Sequence, residues 1–238
     1  MTIAFITGSS RGLGLALAEL LLKDKNVKVV GISRHQTIEN PKYEHIALDL
    51  SDLKTVEKFR FHVDEYDKYI LINNAGVIEP IAHVGHTFST DIVSNYNVNL
   101  IAPSLLTNTF LRQFSELKKP IHIINVSSGA GKHPIDGWST YNASKAGLDM
   151  FSLVIDRELK INNDNHIRIH SIAPGVVDTE MQGTIRNTDI KNFSTVDKFK
   201  DYFSHGDLAK PSDIAKKYKK VIDNPDDFPE VVISVRDF

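Results

Sequence analysis

Tyr141 and Lys145 stand four residues apart in "YNASK", a spacing that sets both on one face of a helix and lets an ammonium approach a phenol. A free phenol ionises at about pH 10, too high to exchange protons at neutral pH unless a nearby positive charge stabilises the phenolate. Lys145 can supply that charge. The pair therefore has the make-up of a general acid for a carbonyl oxygen. Tyrosine and lysine also meet at this spacing by accident, so the weight of the pair comes from its surroundings.

A second centre is the octet "TGSSRGLG" (Thr7 to Gly14), directly after the apolar run "IAFI". Gly8, Ser10 and Gly12 fit G-x-S-x-G, the elbow that exposes a nucleophilic serine in hydrolases. Gly8, Gly12 and Gly14 equally fit a turn that lets backbone N–H groups approach a pyrophosphate, with Ser10, Arg11 and Leu13 inside it. Position separates the two. Only six residues precede the octet, too few for the strands and oxyanion loop that a hydrolase elbow follows. The first strand-to-helix turn of a dinucleotide site belongs there, at a helix N-terminus that presents free N–H groups to phosphate. The spacing is G-x-x-x-G-x-G, not the commoner G-x-G-x-x-G.

Such residues need strand ends to hold them. Apolar runs at 3–6, 27–32, 45–48, 69–72, 121–126, 167–172 and 231–235 alternate with helix-length amphipathic segments. Their consecutive apolar positions suit parallel strands covered on both faces. Leu13, Leu17, Leu20 and Leu21 predict a helix from about Gly12 to Lys23. The expected fold is α/β, a doubly wound parallel sheet of about seven strands in one domain spanning 1–238. The stretch at about 175–210 breaks the alternation, and Pro211 or Ser212 can start the next helix, so the stretch is expected to form a lid.

With 238 residues, 41% hydrophobic and 24% charged, the chain can bury a substantial core. A net charge of −2 and no basic block beyond "KKYKK" (Lys216 to Lys220) argue against nucleic acid. The absence of cysteine excludes thiolate catalysis and cysteine-bound zinc. The histidine pairs His83/His86 and His166/His170 lack a third ligand, so no metal is expected. No membrane span or leader pattern is read, and a soluble cytoplasmic protein is expected.

"NNAG" (Asn73 to Gly76), "NVSSGAG" (Asn125 to Gly131), "YNASK" and "PGVVDT" (Pro174 to Thr179) follow the octet in order. As a set they resemble the short-chain dehydrogenase/reductase family. The resemblance implies a Rossmann-type sheet in the order 3-2-1-4-5-6-7. It also implies a catalytic tetrad: Asn99 holding a water relay, Ser128 binding the substrate carbonyl with Ser127 as a lesser substitute, Tyr141, and Lys145. It puts Asn73, Ala75 and Gly76 beside the cofactor, Asp49 and Leu50 at its adenine, and Pro174, Gly175, Val177 and Thr179 at its nicotinamide.

NAD sites end the second strand in an acid that accepts the ribose hydroxyl, whereas NADP sites offer an arginine. Here that strand ends "GISRH", with Ser33 and Arg34 and no acid, and Arg11 lies in the glycine turn. NADP(H) is the expected cofactor.

"GWSTYNASKAGLDM" (137–150), "APGVVDTEMQ" (173–182) and the short end "FPEVVISVRDF" are similar to the sepiapterin reductase and benzil reductase branch. That similarity implies NADPH-dependent reduction of a ketone or of one carbonyl of a vicinal dicarbonyl. In sepiapterin reductases a C-terminal aspartate anchors the substrate, which points to Asp237, with Ser234 as its alternative. Trp138, His133, Pro134, Met181, Phe193, Phe199, Tyr202 and Phe203 are candidates for an apolar pocket. The family also implies a homodimer or homotetramer through helices flanking the sheet. Its fold can alternatively serve as an NADP(H)-binding sensor or scaffold.

Overall fold

The computed structural model describes residues 1–62 and 64–238. Its strands are β1 (Thr2–Thr7), β2 (Val27–Ser33), β3 (Tyr43–Ala47), β4 (Lys68–Asn73), β5 (Ile121–Val126), β6 (Ile167–Ala173) and β7 (Val232–Ser234). Between and after them run helices α1 (Gly12–Leu22), α2 (Leu53–Lys58), α3 (Ser89–Tyr96), α4 (Ala102–Phe114), α5 (Ser139–Ile161), α6 (Glu180–Arg186), α7 (Val196–Ser204) and α8 (Pro211–Asp223).

All pairings are parallel, in the order β3-β2-β1-β4-β5-β6-β7. This is the Rossmann-type sheet that the sequence leads one to expect. β1 and β4 are neighbours although two strands and their helices lie between them in the chain, so the strand order reverses there and a crevice opens above their carboxyl ends.

Both faces of the sheet are covered. On one, Leu13, Leu17, Ala18 and Leu21 of α1 pack with Ile214, Ala215, Tyr218 and Val221 of α8 against Ile6, Ile72, Ile124 and Ile172. Tyr218 spends its phenol on the carbonyl of Ile172 at 2.7 Å. Pro211 begins α8, its fixed φ suiting the first helical position. On the other face, Phe110 of α4 meets Phe5 and Phe61 in edge-to-face contacts, with Phe61 4.9 Å from both Phe5 and Phe110, and Phe114 stacks on Phe5. Such pairs add about 0.5–1.5 kcal/mol each beyond area burial. β3 starts at Tyr43, two residues before the expected run, because its pairing with β2 begins at Val29 opposite Tyr43.

The excursion at 175–210 holds α6 and α7. Its two ends are tied together by a parallel bridge between Val177 and Ala209, with Ala209 N–H on Val176 O at 3.0 Å and Asp178 N–H on Ala209 O at 2.9 Å. No helix among the described residues is long and apolar enough to cross a membrane.

Candidate active site

The loops after β1 and β4 are lashed to each other. Thr7 Oγ1 accepts from the N–H groups of Asn74 at 2.9 Å and Ala75 at 3.0 Å, and the Asn74 amide donates to the carbonyls of Thr7 and Gly8. Gly8 has φ +66°, and a side chain there would fall 2.9 Å from the Ala75 Cα, so only glycine permits the approach. Gly14 lies beneath the turn, against the Gly8 carbonyl. Asn73 sits deeper than the sequence implies: its amide donates to Asn125 Oδ1 at 2.8 Å and Thr107 Oγ1 at 3.1 Å, so it braces β4 against β5 and does not line the crevice.

The four tetrad residues come together where β4 and β5 end. Asn99 is the middle residue of a π-helical turn, Asn97–Ile101, between α3 and α4. Such bulges often mark functional positions. Its Oδ1 accepts from Val77 N–H at 2.9 Å while its amide donates to Val77 O at 2.8 Å and to Asn95 Oδ1 at 3.0 Å. Lys145 Nζ donates to Val126 O at 2.8 Å and stands 5.7 Å from the Tyr141 ring centre. A methyl group on Gly76 would lie 3.2 Å from Asn99 Oδ1 and 3.7 Å from Lys145 Nζ, so glycine keeps open the space between them.

Burial pushes the Tyr141 phenol up, and the Ser128 hydroxyl facing it pulls it partly back. Burial brings the Lys145 ammonium down to about 8, opposed by Asp149 one turn further along α5. Lys145 Nζ gives its hydrogen bond to Val126 O and not to the phenol, so what it offers Tyr141 across the 5.7 Å to the ring centre is charge alone. Sequence reasoning missed Asn74, Asn95 and Asp149, which set the loop, the asparagine and the lysine; Asn74 lies inside "NNAG" and Asp149 inside the stretch 137–150, Asn95 lies outside both, and the role of each appears only with the fold.

From this corner a cleft of about 1150 Å³ extends in both directions. Gly8, Ser10, Arg11, Gly12, Leu13, Ser33, Arg34, Asp49, Leu50, Ala75 and Gly76 line one arm, and Pro174, Gly175, Val177 and Thr179 lie where it meets the tetrad. The groups present suit an elongated phosphate-bearing dinucleotide: a positive-φ turn closely packed at a helix start, two arginines at the rim, and a small-residue floor. Asp49 accepts from Ser51 N–H and Oγ, and these bonds, with a smaller contribution from Arg34, hold its carboxyl below the usual range. Arg11 is ion-paired with Glu180 at the start of α6. Both side chains are largely exposed, so the pair is worth less than about 1 kcal/mol and exchanges readily. Ser10 has no histidine bonded to it among the described residues, as a hydrolytic serine would need.

The other arm is walled by α6 and α7. Trp138 and Tyr202 line it with Met181, Gln182, Ile185 and Phe199. Two expectations need correction. Phe193 is fully buried behind Trp138, stacked on it at 5.0 Å with the rings 12° from parallel, and does not reach the cleft. Asp237 turns away: its carboxylate accepts from Ser234 N–H at 2.9 Å, closing the turn after β7, and leaves Ser234 and Arg236 to line the cleft. Phe203 is exposed and lies under Arg186.

Among the described residues no group of three histidine, aspartate or glutamate side chains is placed to hold a metal. His83 meets Asp136 at 3.4 Å, and His166 bonds the Ser115 carbonyl at 3.1 Å. His170 instead pairs with His122 across β5 and β6.

Residues 2–190 match the family described as short chain dehydrogenase. The chain belongs to that family. It is 35% identical to a benzil reductase ((S)-benzoin forming) of Bacillus cereus over 97% of each chain, and 36% identical to one of Bacillus subtilis over 90% of each. Among solved structures, the KRED1-Pglu enzyme superposes with a TM-score of 0.78 at 30% identity, covering 93% of this chain and 94% of that one. The family binds a nicotinamide cofactor and acts as an oxidoreductase on small molecules, in keeping with the cleft and its two arms. The resemblance read from the octet, "NNAG", "NVSSGAG", "YNASK" and "PGVVDT" therefore identifies the family, and that read from 137–150, 173–182 and "FPEVVISVRDF" identifies its benzil reductase-like branch.

Proposed function

We propose that the protein is an NADPH-dependent carbonyl reductase that acts on a ketone or on one carbonyl of a vicinal dicarbonyl, with Tyr141 as general acid. One observation carries the reading: a buried phenol held in its protonated form faces the Ser128 hydroxyl on the wall of a cleft large enough for a dinucleotide and a small ketone. When bound, the reduced nicotinamide supplies hydride to the carbonyl carbon. Ser128 donates a hydrogen bond to the carbonyl oxygen, and Tyr141 transfers its proton there as the oxygen gains charge. Lys145 balances the phenolate left behind, and Asn99 fixes the backbone of Val77 beside it. Arg34 and Arg11, at the adenosine end, suit the extra phosphate of NADPH. The benzil reductases of the two bacilli favour a vicinal diketone as the substrate class.

The assembly we propose is a homodimer or homotetramer. Met150, Leu153, Val154 and Ile161 form an exposed apolar stripe on α5, the helix that bears Tyr141, and Val93 of the neighbouring α3 is exposed as well.

The test is NADPH consumption with benzil, sepiapterin, an aliphatic ketone and a ketoacyl thioester. Tyr141→Phe should lower turnover by at least about 100-fold while leaving NADPH binding intact. Turnover that survives the change refutes the acid, and NADPH bound with no turnover of any ketone favours a sensor.

A further inference from the structure

The substrate arm contains a polar group for which neither the fold nor the tetrad has a use. Gln182 lies on α6 and is 7% exposed. It shares its helix face with Ile185, which packs into the apolar cluster of Trp138, Tyr141 and Phe193. A leucine would suit that position. The amide oxygen is sealed from solvent and has no hydrogen-bond partner among the described residues, and the residue lines the cleft. Buried polar groups are almost always bonded, and leaving one unbonded is costly, so an amide without a partner on a cleft-lining residue marks a place where a ligand oxygen can accept from its N–H.

The opposite wall has the same character. The Trp138 indole N–H is also buried and unpaired, and its ring stands 5.7 Å from that of Tyr141. Ile185, Met181 and Phe199 beside it are apolar, while Tyr202, Thr184, Thr195 and Lys198 also line the cleft. The C-terminal carboxylate that the sequence offered for this purpose, Asp237, is occupied at Ser234. The Gln182 amide therefore stands beside the apolar cluster of Trp138 and Ile185, where the second oxygen of a dicarbonyl can reach it.

We propose that Gln182 is the specificity-determining residue that hydrogen-bonds the non-reacting oxygen of the substrate: its N–H donates to the second carbonyl of a vicinal diketone, and its amide oxygen accepts from the hydroxyl of a hydroxyketone. This rests on the carbonyl reductase reading. It selects ketones bearing an oxygen next to the reacting carbonyl over plain ketones of the same size.

The test uses a matched pair of ketones, benzil and deoxybenzoin, the second lacking only one oxygen of the first. The ratio of kcat/KM for the two is measured with NADPH in the unmodified protein and in Gln182→Leu, so that the greater intrinsic reactivity of a diketone cancels. The expected result is a fall in the benzil-to-deoxybenzoin ratio of at least tenfold, carried by KM for benzil, with deoxybenzoin changed less than twofold. Gln182→Leu should melt no lower than the unmodified protein, because an unpaired buried amide has been replaced by an apolar side chain; a purely structural role would lower the melting temperature and reduce both rates together. An unchanged ratio, or equal losses on both ketones, overturns the proposal and leaves the reductase reading standing. Failure of the unmodified protein to reduce benzil overturns both.

Discussion

Asn95 and Asn99 are stacked one turn apart and converge on the same carbonyl: the Asn99 amide reaches Val77 O at 2.8 Å, the Asn95 amide reaches it at 3.3 Å, and Asn99 donates to Asn95 Oδ1 at 3.0 Å. Asn95 also holds Glu79 O at 2.7 Å and is completely buried. The orientation of Asn99 is thus imposed by a second asparagine outside every motif.

Asn95→Leu should therefore act through Asn99. It leaves the Glu79 carbonyl and the Asn99 amide short of a partner, at about 1–3 kcal/mol of stability. The expected result is a melting temperature lowered by a few degrees and kcat lowered about tenfold, with KM for NADPH unchanged. Asn95→Asp, which keeps the acceptor for Asn99, should recover most of kcat. Equal rates in all three proteins would remove Asn95 from the positioning of the tetrad.

The pH profile follows from Tyr141 and Lys145. Burial keeps the phenol protonated through neutral pH, the form that reduction needs, while Lys145 loses its proton at about 8. Reduction should be flat from pH 6 to the upper sevens and fall above pH 8 as the cation beside the phenolate disappears. Alcohol oxidation, which needs the deprotonated phenol, should rise in the same interval. A reduction rate still level at pH 10 would show that the charge of Lys145 is not used.

Cofactor choice rests on Arg34. Arg34→Asp offers a carboxylate to the ribose hydroxyls and repels the extra phosphate. Its expected effect is a KM for NADPH raised by at least tenfold, with little change or a gain for NADH. Steady-state kinetics with both cofactors check this, and equal Michaelis constants in the unmodified protein would cancel the NADP preference altogether.

Acid stability is set far from the site, by two histidines. His170 must donate from Nε2 to Phe228 O at 2.8 Å, so its Nδ1 accepts from His122 Nε2, also at 2.8 Å, and His122 Nδ1 is left buried without a partner. Burial depresses both imidazoles, His122 strongly; Lys68 and Arg168 disfavour charge there, while Asp156 and Asp226 partly offset this at His170. A depressed histidine binds its proton in the unfolded chain first. Stability is then retained above about pH 6.5 and lost below it, by up to about 1.4 kcal/mol per pH unit for each histidine. Urea unfolding at pH 7.0 and 5.0 should show this slope, and His122→Gln, which keeps a donor but does not titrate, should flatten it. The same slope in the variant would place the acid lability elsewhere.

The strands and the glycine turn were legible because each is written locally, as apolar runs between helices and glycines where backbones touch; the strand order came through the family resemblance, as did the roles of Asn99 and Ser128. The positions that escaped depend on distant contacts. Phe193 reads like any pocket aromatic until Trp138 is seen to cover it, and Asp237 resembles a substrate anchor until its carboxylate is found closing the turn at Ser234. Asn95 and Gln182 are ordinary polar residues in sequence. Only burial distinguishes them, the first by having every bond made and the second by having none.

Trp138 is the only tryptophan in the chain, and its indole stacks on Phe193, meets Phe199 and stands edge-on to Tyr141. The whole ultraviolet emission of the protein beyond its tyrosines therefore originates at one spot on the wall of the substrate arm. Ligand arrival, displacement of α7, or a change at the reacting phenol can each be followed as a change in colour or brightness, without a label and without turnover.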